Sequence, residues 1–301
     1  MTFTSRRSPS RVPRGIAAAT VLFACGSRTG IDASELSSDA GPLADAAPCC
    51  DGSLPGDAST ARDAGGCANG GGAVEVSYVF DAVGVLYRYD PRTARPTRLG
   101  APNCGNGNVP WTMTASREHA YVVYTDWTLY AVDLVTLACS PTSFRSGQLG
   151  LDSEFGVAVS GSGATERLFV YGQPTGGTSP ILAVTDLSSF VLTKVGDVRP
   201  APPVSSFPVN LTADATGHLI AFSPGGLLQQ IDAVTGAVLQ SVNTGVTTGS
   251  TWASLTSGSE VFLFVESRVD GFDLASRTRT SAADIGIFPI GAGTVLVCPA
   301  K

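Results

Sequence analysis

Between residues 74 and 301 short apolar runs alternate with turn-forming residues, and one unit recurs five times. In each unit a strand with alternating apolar residues ends on Asp, Thr or Ser follows three positions later, and a second strand begins. The units occupy residues 86–93, 129–136, 182–189, 228–235 and 269–276. Their Asp90, Asp133, Asp186, Asp232 and Asp273 are spaced by 43, 53, 46 and 41 residues. Such alternation marks a half-buried strand. An Asp opening a tight turn can accept a bond from the backbone two residues on, and Ser or Thr supports the same turn. Upstream of the repeated hairpin lies another apolar run, as at 120–124, 167–171 and 218–222, and before it a further short one, as at 112–115 and 253–256. Four strands in every ~40–50 residues is the period of a β-propeller blade. The expected fold is all-β, a β-propeller of five or six four-stranded blades over residues 74–301. The first repeat lacks an innermost strand, while the strand-like tail at 287–298 has no repeat of its own. The tail is therefore expected to complete the first blade and close the ring, leaving no free sheet edge.

Composition agrees with this picture and narrows it. Glycine, at 35 of 301 residues, is well above the roughly 7% of an average chain, and charged residues, at 15%, fall below the usual roughly 25%. That suits a turn-rich β protein and argues against a helical bundle or coiled coil. With 19 basic and 25 acidic residues the chain offers phosphates no counter-charge, so no nucleic-acid partner is expected.

The N-terminus carries a different message. Residues 1–14 hold Arg6, Arg7, Arg11 and Arg14 and no acid, and the apolar stretch 15–24 ends at Cys25. A basic segment followed by ~7–15 apolar residues is the layout of a secretory signal peptide. Ten apolar residues are too few for a membrane-spanning helix, which needs ~20. Leu22, Phe23, Ala24 and Cys25 resemble the lipobox of bacterial lipoproteins, which implies cleavage after residue 24 and lipidation of Cys25. Losing residues 1–24 removes four Arg, leaving 15 basic and 25 acidic residues and a net charge of −10. That charge offers no polybasic patch to an anionic lipid surface, so membrane attachment is expected through the acyl chains alone. Gly26 and Ser27 follow without an Asp, which points to the outer membrane or cell surface.

Residues 25–73 follow as a lipid-anchored, low-complexity linker. From 26 to 73 the segment is rich in Ala, Asp, Gly, Ser and Pro and has no aromatic residue, so it cannot bury enough apolar area to offset its ordering entropy. Six cysteines remain beside Cys25, namely Cys49, Cys50, Cys67, Cys104, Cys139 and Cys298; an even number in an exported chain reads as disulfides. Cys104 and Cys139 are the pair expected within the folded domain. No CxxC pair exists and the histidines are His119 and His218, so no metal site is expected.

The segments 228–239 and 129–136 resemble the repeats of quinoprotein-like and related bacterial surface-layer propellers. The resemblance covers the repeat domain and implies architecture, since that group includes dehydrogenases, assembly scaffolds and binding modules. Quinone-dependent members use a metal site and a vicinal disulfide. The vicinal pair here, Cys49 and Cys50, lies in the linker, so no cofactor is expected.

Aligning the innermost strands places Trp111, Phe155, Val209, Trp252 and Ile287 at corresponding positions. Pointing to the mouth of the central channel, Trp111, Phe155 and Trp252 would form a stacking platform for a sugar ring, a peptide or another flat apolar group. Asp152 and Glu154 precede Phe155 and are placed at the same mouth, where a carboxylate pair could do acid–base work on a glycosidic bond. His119 and His218 read as solvated turn exits, and no nucleophile-elbow, phosphate-loop or zinc-protease motif is present. The expected function is a monomeric, lipid-anchored envelope propeller acting as a non-catalytic binding or scaffold module for an envelope protein or an extracellular glycan. The alternative is an extracytoplasmic glycan hydrolase or lyase.

Overall fold

The computed structural model describes residues 74–105, 107–200, 208–247 and 249–297. Cys25 and the linker with Cys49, Cys50 and Cys67 lie outside these residues, as does Cys298. Among the described residues no helix is long and apolar enough to cross a membrane.

The described chain forms five four-stranded antiparallel sheets, each one blade of a β-propeller. Blades 2 to 5 are consecutive in sequence, over residues 110–141, 156–197, 210–243 and 252–284. Blade 1 is composite. Its three outer strands are Val74–Asp81, Leu86–Asp90 and Arg95–Gly100, and its innermost strand is the C-terminal Pro289–Val297. The first and last strands pair antiparallel with Ser77 opposite Thr294 and Phe80 opposite Gly291, so the last described strand closes the ring on the first.

The repeated Asp performs the turn role its position predicts. Asp133 Oδ1 accepts from the N–H groups of Val135 and Thr136 at 3.0 and 2.6 Å, and Asp232 Oδ1 accepts from Val234 and Thr235 at 2.7 and 2.8 Å. Asp90, Asp186 and Asp273 cap their own turns in the same manner. Four residues after each Asp the backbone turns left-handed, at Ala94, Leu137, Phe190, Gly236 and Arg277, with φ between 52° and 78°. Only blade 4 places glycine there. The other four accept roughly 1–2 kcal/mol of steric cost for an L side chain in that region. Hydrogen bonds also hold the five carboxyls below the ordinary carboxylate range. The leading donor is the Thr93 hydroxyl at Asp90, the Ser188 hydroxyl at Asp186, and the N–H groups of Thr136, Thr235 and Ser276 at the other three.

The core lies between blades rather than within them. Each of five apolar clusters joins neighbouring sheets; Phe169, Tyr171 and Leu182 of blade 3, for example, pack against Leu211, Leu219 and Ile231 of blade 4. Middle strands are consequently buried on both faces, which is why Leu219–Ser223 contains no exposed residue. At the centre the inner strands come so close that side chains are excluded. A Cβ on Gly291 would lie 2.0 Å from the backbone nitrogen of Met113, and one on Gly293 would lie 2.5 Å from that of Ala115.

Cys104, in the connection from blade 1, is joined to Cys139 on the outer strand of blade 2, with a Cα–Cα distance of 5.0 Å. The disulfide expected within the folded domain is therefore formed.

Candidate functional site

A cavity of about 220 Å³ opens where the inner strands of blades 1, 2, 4 and 5 begin. Trp111 from blade 2, Pro208 and Val209 beside blade 4, Trp252 from blade 5 and Ile290 from blade 1 form its walls. Thr125, Ser250 and Thr251 stand around them. Asn210 and Thr112, each 2% exposed, also line the cavity at its inner end.

Asn210 ties three blades together at this level. Its Oδ1 accepts from the Ser254 N–H at 2.9 Å and from the Ser254 hydroxyl at 3.0 Å. A backbone N–H can only donate, so the amide orientation is fixed, with Nδ2 turned to Thr112 Oγ1 at 3.1 Å. That bond uses one of the two amide protons. Deeper still, Thr114 Oγ1 accepts from the Val159 N–H at 2.9 Å, linking blades 2 and 3. The cavity thus has a hydrogen-bonded floor. Its described lining contains no Asp, Glu, Lys, Arg or His.

Trp111 is backed by a side chain that the repeat alignment does not single out. Trp127 sits in the hairpin turn between the second and third strands of blade 2, with a left-handed φ of 61°. Its ring meets Trp111 edge-on at 5.3 Å and lies 5.5 Å from Phe155, which in turn lies 5.8 Å from Phe144. A bulky residue in left-handed backbone costs on the order of 1–3 kcal/mol and persists only where its surroundings fix it. The sequence signal was an aromatic residue in an otherwise polar turn, Thr125 to Thr128.

The expected platform is therefore only partly assembled at the cavity. Trp111 and Trp252 line it together. Phe155 is 0% exposed and belongs to the core between blades 2 and 3, beneath Trp127, where it offers a ligand no surface. Ile287 packs into the core between blades 5 and 1, and Ile290 takes the place expected for it at the cavity wall. The shift follows from pairing with the first strand, where the register slips between Phe80 and Asp81.

Asp152 and Glu154 do not line the cavity. Asp152 accepts from the Thr175 hydroxyl at 2.7 Å and pins the loop before blade 3 to a neighbouring hairpin. Glu154 is exposed in left-handed backbone with φ 53°. His218 faces Thr216 Oγ1 at 2.7 Å and Asp214 at 3.4 Å, a local turn network consistent with a solvated turn exit. Among the described residues no three His, Cys, Asp or Glu side chains gather where they could hold a metal ion.

A larger cleft of about 620 Å³ opens at the opposite end of the inner strands, between blades 1 and 5. Arg88, Asp90, Arg92 and Glu75 all line it. Arg92 pairs with Asp90 at 3.6 Å, and Glu75 accepts from the Ser257 hydroxyl at 2.8 Å and the Gly258 N–H at 3.1 Å. The smaller cavity, walled by indoles and without ion pairs among its described lining residues, is the better candidate.

No protein-family model and no curated protein sequence matches the chain. Among solved structures, it is similar to apo AztD from Citrobacter koseri at 10% identity and a TM-score of 0.42, covering 76% of this chain and 100% of that one. It is also similar to a protein of unknown function from Bacteroides caccae, at 9% identity and a TM-score of 0.40, covering 70% and 73% of the two chains. A second AztD structure from Citrobacter koseri aligns at 13% identity and a TM-score of 0.35, covering 72% and 60%.

Proposed function

We propose that this chain is an exported, lipid-anchored β-propeller that serves as a non-catalytic binding module in the cell envelope, with the cavity at the start of the inner strands as its site. The observation that carries the reading is that cavity, in which two half-buried tryptophans face a space with no ionisable residue in its described lining. Such a surface has apolar area and hydrogen-bonding groups but nothing to transfer a proton. Asp152 and Glu154, the carboxylates of the catalytic alternative, stand outside the cavity.

Export is supported by the basic and apolar segments ahead of Cys25 and by the Cys104–Cys139 disulfide, since such bonds persist in oxidising compartments. The partner is an envelope protein or an extracellular glycan. Attachment to the outer membrane or cell surface is through lipidated Cys25 alone, and the acidic chain has no affinity for nucleic acid.

Affinity capture from detergent-solubilised envelope, with the full chain as bait, tests the reading. A partner retained by the wild type and lost by a still-folded Trp111→Ala/Trp252→Ala variant is the expected result. Equal retention by both baits would place the interface elsewhere. Labelling with radioactive palmitate tests the anchor, and incorporation that survives Cys25→Ser would refute it.

A further inference from the structure

The chemistry of the cavity narrows what it holds. We infer that it receives one uncharged sugar ring, the terminal pyranose of a neutral glycan; this rests on the binding-module reading above and specifies its ligand class.

Three observations converge. The first is size. Pockets for drug-sized molecules run ~300–1,000 Å³, and a cavity of about 220 Å³ takes a single ring. It is floored by Asn210 and Thr112, so it is a cup rather than a groove. A cup accepts the end of a chain, whereas a passing polypeptide needs a groove or an unpaired strand edge to lie along.

The second is the balance of surfaces. Trp111 and Trp252 line the cavity, and an indole face carries the negative lobe of the aromatic quadrupole. The C–H face of a pyranose is weakly positive and flat, and it packs against such a face. The remaining polar lining is hydroxyl and amide, from Thr112, Thr125, Asn210 and Ser250. A ring with apolar faces and a hydroxyl rim matches this alternation of indole and hydroxyl, and a purely apolar side chain does not.

The third is charge. Among the described residues no cation lines the cavity, so a uronate, sulfate or phosphate group would be desolvated against tryptophan with no counter-charge, which is costly. No described carboxylate lines it either, so the ammonium of an amino sugar would find the indole rings but no counter-charge. The lining thus favours an uncharged sugar over an acidic one.

The chain contains three tryptophans, and all belong to this region: Trp111 and Trp252 line the cavity and Trp127 meets Trp111 edge-on. Intrinsic fluorescence of the full chain therefore reports on the cup. A ring that displaces water from Trp111 and Trp252 shifts their emission to shorter wavelength. The experiment screens an array of neutral and acidic glycans, then titrates matched pairs of methyl glycosides, the neutral hexoside against its uronate. Emission and calorimetry are recorded together. At least one neutral glycan is expected to give a saturable blue shift, with its uronate partner binding at least ~10-fold more weakly. Trp111→Ala and Trp252→Ala should each weaken the neutral ligand by ~10-fold or more with circular dichroism unchanged. Trp252→Phe, which keeps an aromatic face, should restore most of the affinity.

Equal or tighter binding of the uronates would overturn the inference, as would affinity unmoved by both tryptophan substitutions. Should no glycan on the array shift the emission while the envelope capture still depends on Trp111 and Trp252, the sugar assignment falls and the binding-module reading stands. Should capture also be independent of both tryptophans, the two fall together.

Discussion

Replacing Gly291 by Ala is the most direct test of how the ring is closed. Gly291 lies on the terminal strand Pro289–Val297, where an added Cβ would meet the backbone nitrogen of Met113 at 2.0 Å and its Cα at 2.7 Å. Ordinary contact begins near 3.4 Å, so the two inner strands would have to separate by about 1.4 Å at this point. The Met113 backbone cannot yield as a side-chain tip would. It belongs to a strand paired to Val122 and packed in the core between blades 1 and 2. Overpacking a well-packed core costs roughly 1–3 kcal/mol, and with rigid backbone on both sides about 3 kcal/mol is expected. For a domain of this size each kcal/mol moves Tm by ~2–4 °C, which gives a fall of about 6–12 °C in a calorimetric melt. Gly286→Ala is the control. A Cβ added there has no atom within 4 Å, so the substitution adds only the left-handed backbone cost at φ 68°, about 1–2 kcal/mol. If Gly291→Ala melts within about 2 °C of the wild type, or no lower than Gly286→Ala, the inner strands are not in close contact.

Three other groups give expectations of their own. The Thr251 hydroxyl is buried without a hydrogen-bond partner, and an unsatisfied buried polar group costs ~1–3 kcal/mol; the isosteric Thr251→Val should match or exceed the wild type in Tm, and a clear loss would show that the hydroxyl is paired. Removing the Cys104–Cys139 bridge, whose residues are 35 apart in sequence, forfeits about 4 kcal/mol of chain-entropy stabilisation; Cys104→Ser/Cys139→Ser should melt about 8–16 °C lower, and an unchanged melt under reducing conditions would refute that figure. The five turn aspartates have folded pKa values depressed below the unfolded ~3.9. Their contribution is therefore fully present above about pH 4 and is lost as the pH falls through the folded values. Asp232→Asn keeps the acceptor oxygen without the titration, so its urea midpoint should decline less between pH 4 and 2, and an acid profile identical to the wild type would show that Asp232 contributes nothing to it.

The sequence alone carried the repeat, the turn chemistry and the closure. Asp followed three positions later by Thr or Ser is a local device, satisfied within four or five residues, so it reads the same in the string as in space. The spacing of five such devices narrowed the count to five or six blades, and a tail with strand character and no hairpin of its own matched a first blade that lacked its inner strand; the structure has five blades. Cys104 and Cys139 were likewise legible as the pair inside the folded domain.

The site required the tertiary structure. Trp111, Phe155, Val209 and Trp252 begin their inner strands at equivalent points, yet Trp111 and Trp252 reach the cavity while Phe155 is drawn into the core. The difference lies in Trp127, which comes from another hairpin and covers Phe155. Ile290 rather than Ile287 completes the wall because the pairing register of two strands more than 200 residues apart sets which side chain faces inward. Asn210 gains its role only when blades 2, 4 and 5 meet around it. Hydrophobic pattern is a property of neighbours along the chain, whereas a cavity is made by neighbours across it, and only packing decides which of several equivalent aromatic side chains is left facing open space.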